Sequence, residues 1–126
     1  MKNNVIKDKS FDFAIRIVKL HQYLSTEKKE FTLSKQLLRS GTSIGAMVRE
    51  AEHAESKNDF IHKFSIAQKE ANESVYWLEL LKATDYLNEK EFENISNDAI
   101  TILKLITSIL KTTKSHLISK EVSTSN

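Results

Sequence analysis

The residue types best able to do chemistry in this chain fall in one mid-chain region. Glu50 with His53, and Asp59 with His62, each set a carboxylate and an imidazole three residues apart. On a helix that spacing offers two ligands to one metal. Just upstream, Ser40, Thr42 and Ser43 crowd around Gly41 and Gly45, the residue types of a nucleophile or a phosphate-cradling turn. Neither set is complete. A di-metal bundle draws carboxylates from all four helices, and none occurs between Asp98 and Lys120. Moreover, the two Asp/Glu-His pairs sit around one turn and do not face each other across a core. The hydroxyl segment lacks the Gly-Lys-Ser/Thr of a P-loop, the preceding strand of a dinucleotide fingerprint, and a nearby histidine. We therefore expect no catalytic residue, no metal and no cofactor, read the protein as not an enzyme, and read the hydroxyls as packing groups.

The elements that position these residues are helical. The 126 residues contain no proline, no cysteine and two glycines, which removes the usual punctuation of strands and excludes disulfide or thiolate chemistry. Phe13, Ile17, Leu20 and Leu24 trace one stripe of a first helix, over 10–24, with residues 1–9 frayed before it. Phe11, Ile15 and Val18 trace a second stripe beside the first. A solvated connection over 25–31 leads to a second helix, 33–55, capped by Thr32 or Ser34, with Leu33, Leu37, Gly41, Ile44, Val48 and Ala51 facing inward.

Ser56 followed by Asp59 reads as a capping box opening a third helix, 57–84, whose seam is Phe60, Phe64, Ala67, Ala71, Ser74, Leu78 and Leu81. Asn88 with Glu91, stapled by Leu87 and Phe92, opens a fourth over 89–118. Its seam is Ile95, Ala99, Ile102, Ile106, Ile109 and Thr113, and a disordered tail at 119–126 follows. The expected fold is a single all-α domain, an antiparallel up-down-up-down four-helix bundle. No signal-peptide core or membrane-length apolar run is visible, so a soluble, cytoplasmic protein is expected.

Within that bundle the segment Leu38–Ala51 is pivotal. A glycine inside a helix costs about 1 kcal/mol relative to Ala, so Gly41 and Gly45 should admit a neighbouring helix to close range, alongside Ser40 and Ala46. A first helix half the length of the third and fourth would leave apolar surface uncovered, which favours a homo-oligomer. Phe11, Ile15 and Val18, with Tyr76 and Trp77 at the edge of the third seam, are the interface candidates.

Net charge is only +2, so its placement matters more than its size. Bundle order brings Lys7, Lys9, Lys57, Lys111, Lys114 and Lys120 to one end, against Asp8, Glu55, Asp59 and Glu121. Glu27, Glu30, Asp85, Glu89, Glu91 and Glu93 fall at the other. Such polarity suits phosphate backbones, and Arg39, Arg49, Lys111 and Lys114 are the candidate nucleic-acid contacts, neutralising phosphates without reading bases.

Arg39-Ser-Gly-Thr-Ser-Ile-Gly-Ala46 with Glu50-Ala51, then Ala54-Glu-Ser-Lys-x-Asp-Phe-Ile-His62, Glu70-Ala71 and Tyr76-Trp77-Leu78, together resemble the four-helix bundle proteins encoded in 23S rRNA intervening sequences. The resemblance covers nearly the whole chain. It implies a ring-forming bundle, typically a homopentamer, and RNA or DNA as a partner. The chain is also similar to accessory proteins of diversity-generating retroelements, which bind nucleic acid together with a reverse transcriptase; that implies a protein-interaction adaptor as the alternative. Where the family pattern carries Asn after Gly-Ala, this chain has Met47.

Overall fold

The computed structural model describes residues 2–125, with side chains over 5–120. Among the described residues there are four helices and no strand: α1 (Lys2–Thr26), α2 (Thr32–Glu52), α3 (Lys57–Ala83) and α4 (Glu89–Ser125). Each packs against the next in sequence and α4 returns to α1, closing an antiparallel bundle. The α1–α4 closure is the thinnest of these junctions.

One core runs the length of the bundle, and the sequence stripes lie in it. Phe13, Ile17 and Leu24 from α1 meet Leu37, Ile44 and Val48 from α2, Phe64, Leu78 and Leu81 from α3, and Ile102 and Ile106 from α4. Near the end of the fourth seam the register drifts. Leu110 is buried while Ile109 and Thr113 are only half-buried, because 3.6 residues per turn rotates a fixed seam slowly out of register.

Two helix starts are as expected. The Asp59 N–H donates to Ser56 Oγ at 3.0 Å, and Asn88 and Glu91 exchange hydrogen bonds at 2.8 and 2.9 Å. Elsewhere the expectations need correction. The first helix begins at Lys2, not near residue 10, and Ile6 is fully buried. It has 25 residues against 27 in α3, so the inferred length mismatch between them does not exist. The 37-residue α4 is the long one, running to Ser125 instead of stopping near Ile118.

The connection over 25–31 is also less solvated than expected. Glu30 is buried, and its carboxylate accepts from the N–H groups of Leu33 and Ser34 at 2.7 and 2.9 Å. This acid, and neither Thr32 nor Ser34, caps α2; the Ser34 hydroxyl donates back to the Glu30 carbonyl at 2.8 Å. Helix α2 then stops at Glu52, three residues early, with His53 as its C-cap.

The left-handed backbone positions belong to Lys29 (φ 55°) and Asp85 (φ 68°), at the ends of α1 and α3. Both glycines keep negative φ inside α2, so their role is close approach. A Cβ on Gly41 would stand 2.8 Å from Ile17 Cγ1 and 2.9 Å from Ile17 Cγ2. At Gly45 the nearest atom would be Ser10 Oγ, at 3.4 Å. The small residues therefore do not form one stripe toward one neighbour: Gly41 and Gly45 face α1, Ser40 faces α3 through the Ser74 hydroxyl at 3.0 Å, and Ala46 is exposed.

Candidate functional site

Two surfaces carry the sequence-predicted residues. The first is the outer face of α1. Phe11, Ile15 and Val18 are 50, 40 and 38% exposed, and spacings of four and three place them on one side of the helix. Phe13, Ile17 and Leu24 occupy the other side and are buried. The Arg49 guanidinium of α2 lies 5.1 Å from the centre of the Phe11 ring, a cation–π distance that carries the apolar strip across to α2.

The second surface is the C-terminal half of α4. Lys111 and Lys114 are exposed, and neither has a hydrogen bond or ion pair among the described residues. Lys104 precedes Lys111 by seven residues, and Lys114 follows it by three. All three therefore share one face, over roughly 15 Å at about 1.5 Å per residue. Lys7, by contrast, is engaged by Glu52 of α2 at 3.2 Å.

Arg39 is placed differently from the other candidate cations. Its guanidinium bonds Glu70 at 3.0 Å and also Glu73, both on α3. The Trp77 indole N–H donates to the same Glu73 at 3.0 Å. Hydrogen bonds from Trp77 and then Arg39 hold the Glu73 carboxyl below its ordinary pKa, and Glu73 in turn raises that of Arg39. Arg39 thus joins α2 to α3 with its charge matched by two carboxylates, and sequence alone does not reveal the pairing because its acids lie 31 and 34 residues away.

Trp77 is half-buried in the same network, whereas Tyr76 is 57% exposed and meets the Trp77 ring edge-on at 5.0 Å. Of the two aromatics, Tyr76 protrudes. Met47 packs against the core.

The Asp/Glu-His pairs do not converge. Glu50 pairs with Lys63 at 3.0 Å, and Asp59 accepts the Glu55 N–H at 3.1 Å. Among the described residues no three His, Asp or Glu side chains are grouped to hold a metal ion. No described helix is long and apolar enough to cross a membrane. Between Val5, the α2–α3 turn and α4 lies an open groove of about 710 Å³, with Phe60, Leu105 and Ile109 on its walls and Lys57 at its edge.

No curated protein matches the chain. Among solved structures it is similar to a protein of unknown function from the S23 ribosomal protein family of Bacteroides thetaiotaomicron. The two are 59% identical, with a TM-score of 0.87, over 88% of this chain and 99% of that one. The family model for 23S rRNA-intervening sequence proteins matches residues 2–108, which takes in α1, α2, α3 and the first half of α4. With that match and that shared fold, the chain belongs to the 23S rRNA-intervening sequence protein family.

Proposed function

We propose that this protein is a non-enzymatic, self-assembling scaffold that holds nucleic acid, RNA first, on the C-terminal half of α4. The observation that carries this reading is that Lys111 and Lys114 have no partner among the described residues, on a stretch with no carboxylate between Asp98 and Lys120. Acid-free cationic faces gain from releasing the counterions condensed on a polyanion. The family's description names an RNA context, which supports RNA over DNA. Arg39 leaves the contact set because Glu70 and Glu73 already match its charge, and Arg49, seated on Phe11, sits with the α1 face and not with α4.

Self-assembly rests on the α1 face. Phe11, Ile15 and Val18 form an exposed apolar strip on a helix whose opposite side already fills the core. A second copy is the partner that strip serves, in a closed ring of five as the family resemblance implies. A narrower second reading, a protein-interaction adaptor that includes a reverse transcriptase among its partners, is favoured only by the protruding Tyr76.

Fluorescence anisotropy of a labelled single-stranded RNA, titrated across salt, tests the first reading. Each neutralised phosphate contributes about −0.7 to the slope of log affinity against log salt. Lys111→Glu with Lys114→Glu should lower affinity at least about tenfold and flatten that slope by roughly 1.4. No binding at low salt, or affinity unchanged in the double variant, overturns it. Light scattering tests assembly: Phe11→Asp with Val18→Asp should give a helical monomer, and a wild-type monomer at micromolar concentration would refute the ring.

A further inference from the structure

The thin α1–α4 junction opens beside the α3–α4 turn into a groove of about 410 Å³. Buried Leu87 and Ile95, with half-buried Leu20, give it an apolar floor, and exposed Lys19 and Lys90 stand at its rim. Arg16 forms a fixed wall, held by Asp98 and, at 2.7 Å, by Asn94.

By sequence this end of the bundle is acidic, and three of its six acids are held by partners of their own. Glu30 caps α2, Glu89 pairs with Lys82 at 2.7 Å, and the Glu91 carboxylate folds back onto the Asn88 N–H at 2.9 Å. Lys19 and Lys90 have no hydrogen bond or ion pair among the described residues. Glu91 also lines the groove, its carboxylate turned back onto the Asn88 N–H, so Lys19 and Lys90 leave the rim net cationic above an apolar floor and call for an anion with an apolar body.

Dimensions narrow the class further. The lining rises from Arg16 to Leu20 on α1 and from Leu87 to Ile95 opposite it, roughly 6 and 12 Å at about 1.5 Å per residue. That is room for one small molecule, within the ~300–1,000 Å³ range of ligand pockets, and too short for a docked helix or a nucleic-acid strand.

We propose that this groove binds a small amphipathic organic anion, its apolar body on Leu20, Leu87 and Ile95 and its carboxylate or phosphate held by Lys19 and Lys90. The site is separate from the α4 cations assigned to nucleic acid, so either assignment can fail alone.

Titration of the full chain with 8-anilinonaphthalene-1-sulfonate tests it. Blue-shifted fluorescence should saturate at one probe per chain. Lys19→Glu with Lys90→Glu should weaken binding at least about tenfold, with circular dichroism unchanged because both residues are exposed. Lys57→Glu, at the edge of the larger groove at the other end, should leave affinity within about twofold. Octanoate and octyl phosphate should displace the probe, and whichever acts at lower concentration identifies the headgroup. Three results would overturn the proposal: unchanged affinity in the double variant, an equal loss in Lys57→Glu, or displacement by inorganic phosphate as readily as by octyl phosphate.

Discussion

An added methyl at Gly41 would meet Ile17 side-chain carbons at 2.8 and 2.9 Å, and Ile17, β-branched and fully buried, has little freedom to move aside. Overpacking of this kind costs about 1–3 kcal/mol, against roughly 1 kcal/mol gained from better helix propensity. Gly41→Ala should therefore lower stability in urea denaturation. Gly45→Ala meets Ser10 only at ordinary contact distance, and should be neutral or up to about 1 kcal/mol stabilising. Equal losses at both sites would refute this division of roles. At Glu30 the expected effect comes from a cap: Glu30→Ala strands the Leu33 and Ser34 N–H groups and should cost about 1–2 kcal/mol by the same measurement. The glycine pair was visible in the sequence, but the inequality between its members was not, because it depends on which α1 side chain stands opposite each.

Between elements, the Arg39–Glu70–Glu73–Trp77 network ties α2 to α3. The folded pKa of Glu73 lies below the ordinary 4.5. Its stabilisation is therefore complete above that pH and is lost as pH falls through the folded value. Wild type should lose stability over that acid window more steeply than Glu73→Gln, read from urea midpoints between pH 6 and pH 3; parallel curves would exclude the linkage. Parts of the element level were legible beforehand for a simple reason. Capping boxes join residues three apart, so Ser56–Asp59 and Asn88–Glu91 are local statements. The Glu30 cap is not legible in the sequence because it depends on a left-handed Lys29 to turn the chain and on burial of the carboxylate. The start of α1 is not legible in the sequence because Val5 and Ile6 stand as a short apolar pair among polar residues, and only the assembled core shows Ile6 buried.

At the scale of the molecule, the family match ends at residue 108 while α4 runs on to Ser125. Beyond Leu110 no described side chain is fully buried. Truncation after Thr113 should accordingly shift the melting temperature by less than about 4 °C, equivalent to ~1 kcal/mol in a domain of this size. It should also weaken RNA binding, since Lys114 goes with it. A collapse of the melting temperature would show that the segment is structural instead.

The all-α class, the four-rod bundle and the inward stripes followed from the sequence itself, because 3.6-residue periodicity and i to i+3 caps are short-range properties of one strand of chain. Which apolar stripe of α1 is buried and which exposed, which cation is paired with α3 and which has no partner among the described residues, and where α1 and α4 part to leave a groove were decided only by tertiary structure. Each of those depends on what lies opposite, and in this bundle the facing residue is often thirty or more positions away.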